Sequence, residues 1–386
     1  MEQAIQAQSC RVCDSSELQE ISDFRLLPRV TSDCAPFRAG GKLLICSRCG
    51  AAQSLNDPQW LAEIDEIYRD YSIFHQSGGT DQHVIDPSSG QLRKRCDVLL
   101  DHLNKLPGCA RSGSALDVGC GSGVMLRAFS QRGGWRLHGL DLNTRFLATL
   151  QSIPGFETLH TCTPADLPAC FDLVTMVHSL EHFPAPLQAL RDLRNKVAFG
   201  GRLFVEVPNA EANPFEYLVA DHATHFSPST LSLLATSAGW EIEELSTTWV
   251  SKELSLTAHP GASPGQLPAA NGASDVVARV RAQIAWLRQF VDSAREAAAG
   301  SAPFGLFGSS IAATWLGGVL GDRVSFFVEE DRNRVGRTLL GRPIVSPAEV
   351  RRESVVYVAL IPQIAALVAQ RLDRTMTLRL PPPLPS

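Results

Sequence analysis

The hydrophobic and polar positions of this 386-residue chain change rhythm several times along its length. From about 85 to 258, short apolar runs alternate with stretches whose apolar residues recur every third or fourth position. Such a pattern reads as buried strands alternating with amphipathic helices. A helix over 88–106 leads to a strand at 115–118, a glycine-rich turn at 119–123 and a helix over 124–132. Further strands follow at 136–140 and 172–178, then a helix over 187–197 and a strand at 202–207 entered through Gly200-Gly201. Strands alternating with helices predict a parallel sheet with helices on both faces, a Rossmann-like α/β fold. Residues 1–84 show little periodicity. Residues 259–274, rich in Pro, Gly, Ala and Ser, predict a linker. A helix over 275–299 and a smaller α/β unit from 303 to about 375 follow, ending in a disordered tail. The chain thus divides at 1–84, 85–258, 259–302 and 303–386.

Composition narrows the class. A hydrophobic share of 44% and a charged share of 19% are those of a globular protein. No apolar run approaches the ~20 residues that cross a bilayer, and MEQAIQAQSC lacks the pattern of a signal peptide, so a cytoplasmic protein without membrane contact is expected. A net charge of -5, with twelve acidic against seven basic residues in 1–84, argues against a nucleic-acid partner. The sequence leaves the oligomeric state open.

The segment LDVGCGSG, residues 116–123, follows a strand and opens a helix. Its glycines let the backbone approach a ligand closely. Asp141 ends the next strand, 24 residues beyond Asp117, where a carboxylate can accept two hydrogen bonds from a ribose diol. Cys10-x2-Cys13 and Cys46-x2-Cys49, 32 residues apart, have the spacing of a closed four-thiolate structural zinc site with no open position for water. Cys34 reads as a bystander, and Cys120 as a small packing residue.

Taken in order, LDVGCGSG, HGLDLN, FDLVTMVHSLEHF and FGGRLFVEVPN resemble the class I S-adenosylmethionine-dependent methyltransferases over roughly 90–245. The resemblance implies S-adenosylmethionine as cofactor. Asp117 and Gly119 would lie near its methionine part and Asp141 on its ribose, Gly121, Gly123 and Leu142 would also bind it, and His178 would line the cofactor and substrate cleft. A zinc lobe, this core, a linker helix and a second α/β unit in that order resemble the sugar C-methyltransferases of deoxysugar pathways. FGLFGSSIAATWL and VSFFVEEDRNRVGRTLLGRPIVSP resemble that family's C-terminal domain, where Gly305, Gly308 and Asp331 imitate a dinucleotide site. A structural or sugar-nucleotide contact is expected there rather than a second dinucleotide.

Four of the ten histidines fall between 178 and 225, on segments that follow core strands, where open α/β sheets bind ligands. Methyl transfer from a sulfonium requires the protein to orient the acceptor and remove its proton, work suited to histidine. By resemblance to the sugar enzymes, His182, the pair Asp221-His222 and Tyr71 are the catalytic candidates. Asp stands where that family has Glu, which leaves O-methylation open beside C-methylation. The expected acceptor is a small molecule, a nucleotide-linked keto-sugar. An RNA base methyltransferase with a zinc ribbon and a non-catalytic scaffold are the competing readings.

Overall fold

A computed structural model describes residues 8–69, 81–85, 92–261, 273–372 and 376–385. Its centre is a seven-stranded sheet built from Gly113–Val118 (β1), Trp135–Leu140 (β2), Phe156–His160 (β3), Phe171–Val177 (β4), Val197–Pro208 (β5), Trp240–Ser246 (β6) and Glu253–Pro260 (β7). The strand order is β3-β2-β1-β4-β5-β7-β6. The first five are parallel, and β7 runs antiparallel to both β5 and β6. Strands β1 and β4 are buried along nearly their whole length, which is why they read as continuous apolar runs rather than alternating ones. The order reverses direction at β1, so the loops after β1 and β4 open a crevice at the carboxyl end of the sheet.

Two local expectations shift. The helix expected over 88–106 is shorter, Arg95–Leu103, because Leu92–Lys94 pairs with His83–Ile85 as a hairpin. Gly200-Gly201 does not precede its strand but lies inside β5, with Gly200 at φ +78° and a register irregularity against β4.

The N-terminal lobe contributes strands Leu18–Glu20, Leu43–Cys46 and Ala52–Ser54. Their sheet is completed by Thr224–His225, a strand from the central unit. The C-terminal unit has a six-stranded sheet in which Phe304–Phe307, Phe326–Val328, Arg342–Val345, Val355–Val358 and Thr377–Arg379 are parallel. Helix Ala273–Ala297 and 3-10 turn Pro214–Leu218 meet this unit through an aromatic cluster. Phe215 packs edge-on against Trp286 and Phe290, and Phe290 contacts Trp315 and Tyr357. One hydrophobic core therefore runs from Ile21 and Phe24 of the lobe, through Phe215 and Leu218, to Trp315 and Tyr357. Among the described residues no helix is long and apolar enough to cross a membrane.

Phe290 is fully buried at the centre of this cluster. Phe290→Ala is expected to cost about 3–5 kcal/mol through lost burial and a residual cavity. Denaturant unfolding, monitored by the fluorescence of the adjoining tryptophans, measures it.

Candidate functional site

The loop after β1 forms one half of the crevice. Gly119 has φ +74°, and a Cβ there would lie 2.5 Å from the Cβ of Ser179. Only glycine fits, and it leaves the backbone bare where the loops after β1 and β4 meet. Asp117 is buried and its Oδ1 accepts from Thr175 Oγ1 at 2.6 Å. Burial pushes its carboxyl up to about 7, against the opposing Thr175 bond. Asp141, just beyond β2, accepts from the Gly121 amide at 2.9 Å, so this acid pins the glycine loop. Leu142 beside it is 92% exposed, an apolar face next to a hydrogen-bonding carboxylate. Bare backbone, a terminal acid and an adjoining apolar face fit a nucleoside cofactor bearing an amino-acid end.

The other half lies beyond β4 and β5 and is rich in titratable groups. His178 follows β4 at φ +50°, accepts from Arg95 at Nε2, and sits 3.4 Å from both Glu181 and Glu206. Arg95 also pairs with Glu206 at 3.2 Å and Glu253 at 3.4 Å. Burial drives the Glu206 carboxyl up to about 8 and that of Glu253 to about 7, and it raises Glu181 well above the carboxylate range. Both oxygens of Glu181 lack hydrogen-bond partners. Burial also holds His178 well below its ordinary value.

His182 and His222 meet with ring centroids 4.6 Å apart and planes nearly perpendicular. His182 Nδ1 lies 2.9 Å from Tyr68 Oη and 3.2 Å from the Asp221 carbonyl. Desolvation lowers both imidazoles to about 4. Asp221 does not face its neighbour's ring. Its carboxylate accepts from the Ser32 amide at 2.8 Å and from Ser32 Oγ at 2.5 Å, with His182 Nδ1 at 3.5 Å. His222 Nδ1 instead meets Glu216 at 2.5 Å. Tyr71 lies outside the described residues. Glu216, Tyr68 and Arg95 escaped the sequence reading. The nearest signal was an acid six residues before His222 in FEYLVADH, a spacing that matches no regular element.

Cys10, Cys13, Cys46 and Cys49 converge, with their sulfurs within 4.8 Å of one another. Cys10 and Cys49, and Cys13 and Cys46, are 3.6 Å apart, against about 3.8 Å for the edge of a tetrahedron with metal–sulfur bonds of ~2.3 Å. The Val12 amide points at Cys10 Sγ at 3.4 Å, as a thiolate ligand requires. In the C-terminal unit, the acid directly after strand Phe326–Val328 is Glu329 rather than Asp331. It accepts from Ser309 Oγ at 2.6 Å and from the amides of Glu330 and Asp331.

Gly119→Ala is expected to abolish cofactor binding, because the added methyl collides with Ser179 and the residue resists a positive φ. Calorimetry with S-adenosylmethionine reads the loss, and an unchanged circular dichroism spectrum shows that the fold persists.

A profile described as a methyltransferase domain matches residues 90–245. The ubiquinone biosynthesis O-methyltransferase of Chromobacterium violaceum is 31% identical over 153 residues, covering 34% of this chain and 66% of that protein. The protein of the same name from Azoarcus sp. is 30% identical over 161 residues, covering 36% and 69%. The chain thus spans about two thirds of the length of these curated relatives. Among solved structures, the 1,6-didemethyltoxoflavin-N1-methyltransferase of Burkholderia thailandensis is 19% identical, with a TM-score of 0.39 over 55% of this chain and 96% of that one. By the methyltransferase-domain match and the similarity to these curated relatives, the chain belongs to the class I S-adenosylmethionine-dependent methyltransferases.

Proposed function

We propose that this chain methylates a small polar acceptor, a nucleotide-linked keto-sugar, on carbon, with His222 as base and His182 beside it. The observation that carries this reading is the buried, polar wall opposite the glycine loop, where two neutral imidazoles and three carboxylates surround the space beyond β4. When bound, the cofactor supplies an activated methyl group. Asp117 would hold its amino-acid end and Asp141 its ribose. His222 takes the proton next to the acceptor's ketone, and the C–H electron pair stays on the acceptor as an enolate. His182 Nε2, with Nδ1 engaged by Tyr68, is placed to hold the enolate oxygen if it carries the proton.

Support for a nucleotide-linked acceptor comes from the C-terminal unit. The guanidinium of Arg334 donates to Ser309 Oγ at 3.0 Å and lies 3.9 Å from the carboxylates of Glu329 and Asp331. It would be the cationic group of that unit to meet the phosphate of a nucleotide-linked substrate. O-methylation is the second reading, favoured by the O-methyltransferase activity for which the curated relatives are named. Mass spectrometry and NMR of products from a panel of nucleotide-linked keto-sugars and phenols distinguish the two. Turnover of no nucleotide-sugar, with cofactor binding intact, overturns the first.

The four cysteines fit a structural zinc ion, which would fold the knuckles and leave no catalytic position open. Cys13→Ser is expected to reduce bound zinc to well under one equivalent by elemental analysis and to destabilise the lobe.

A base must be neutral to accept a proton. Burial holds His222 and His182 down to about 4, so the neutral form is present above that pH and is lost only as pH falls through it. The acid limb of kcat is therefore expected below pH 5, with no inflection at the usual histidine value near 6.5. His222→Ala is expected to lower kcat by about 10²–10⁴-fold with cofactor affinity unchanged. Steady-state rates across pH and calorimetry check both.

A further inference from the structure

The carboxylate next to the base in sequence is not the one next to it in space. Asp221 is turned into the lobe and held by Ser32. Glu216 approaches from the other side, and its Oε1 lies 2.5 Å from His222 Nδ1 and 3.2 Å from His225 Nδ1. We propose that Glu216 is the positioning carboxylate of the base, holding His222 in the tautomer protonated at Nδ1 so that Nε2 is the proton acceptor. This rests on the reading of His222 as base.

Three features favour it. Glu216 is 3% exposed, so its charge is little screened by water. Its turn, Pro214–Leu218, is fixed on both sides. Phe215 sits in the aromatic cluster of the C-terminal unit, and Tyr217 Oη donates to Gln283 Oε1 of helix Ala273–Ala297 at 3.2 Å. The far side of His222 is fixed as well, because its carbonyl accepts from Ser54 Oγ at 2.8 Å. A buried imidazole held by a carboxylate at Nδ1 keeps one tautomer and one orientation, and the imidazolium that forms on proton uptake is stabilised. The proton passes from the acceptor to His222 Nε2, and the electron pair of the broken bond remains on the acceptor. Glu216 takes up no proton. The charged or titratable groups facing this pair include Asp221, Glu181, Glu253, His182 and His225, with Arg11 acting on His225 and His222 acting on His178.

The test compares Glu216→Gln, Glu216→Asp and His222→Ala in the full-length, zinc-loaded protein, with the acceptor found by the product panel. Glu216→Gln is expected to lower kcat by about 10²-fold or more, while the acceptor KM and cofactor affinity stay within about twofold. Glu216→Asp should recover part of the rate. Nitrogen-15 shifts of the His222 ring should show the proton at Nδ1 in the wild type and a mixture of tautomers in Glu216→Gln. Wild-type kcat in Glu216→Gln beside a dead His222→Ala overturns the positioning role and leaves the base in place. Wild-type kcat in His222→Ala overturns the base itself. If Glu216→Gln does not fold, the wild-type ring spectrum decides, since a proton at Nε2 overturns the proposal.

Discussion

The acceptor wall depends on one buried guanidinium. Arg11 lies between the first two cysteines and is 8% exposed. It donates to three backbone carbonyls: Ser54 at 2.7 Å, Ala223 at 2.6 Å and Pro184 at 3.1 Å. These belong to the lobe sheet, the base loop and the segment after β4. No other described side chain bonds all three. Desolvation lowers Arg11 to about 10, still well above neutrality, so the charge persists and the carbonyl dipoles compensate it. Around it, Trp60 Nε1 donates to the Ala220 carbonyl and Ser32 holds Asp221. The loop that carries His222 is thus fastened from the lobe at nearly every residue.

Electrostatics sets the two halves of the crevice apart. On the glycine-loop side, Asp117 and Asp141 are separate acids, each with a small set of donors. On the other side, Glu206 and Glu253 pair with Arg95 while Glu181 lies against His178, and each of the three carboxyl groups has an oxygen without a hydrogen-bond partner. Burying that many carboxylates against so few cations is costly, and their upward shifts express it.

The first half of the site was legible because its chemistry is local. Asp117 and the glycine loop follow one another along a strand–turn–helix, and Asp141 and Leu142 follow the adjacent strand, so sequence order and spatial order coincide. The paired cysteines were legible for the same reason. The second half is built by contacts between distant segments. Adjacency suggested Asp221 as the partner of His222, yet the two lie on a turn that sends their side chains to different partners. Asp221 therefore faces Ser32 while His222 faces Glu216. Glu206 sat unnoticed inside the apolar run of β5, and Glu253 at the start of a strand that returns antiparallel beside it. Only the closing of the sheet brings both to Arg95.

The strand Thr224–His225 completes the lobe's sheet while belonging, by sequence, to the central unit. The division at residue 84 therefore separates stretches of chain but not folding units. Removing the lobe would strip hydrogen-bond partners from the base loop, and exchanging it for a relative's lobe would require a matching edge strand in the core. A hybrid that joins the cysteine-bearing lobe of one protein to the core of another would inherit a mismatched seam along the loop that carries His222.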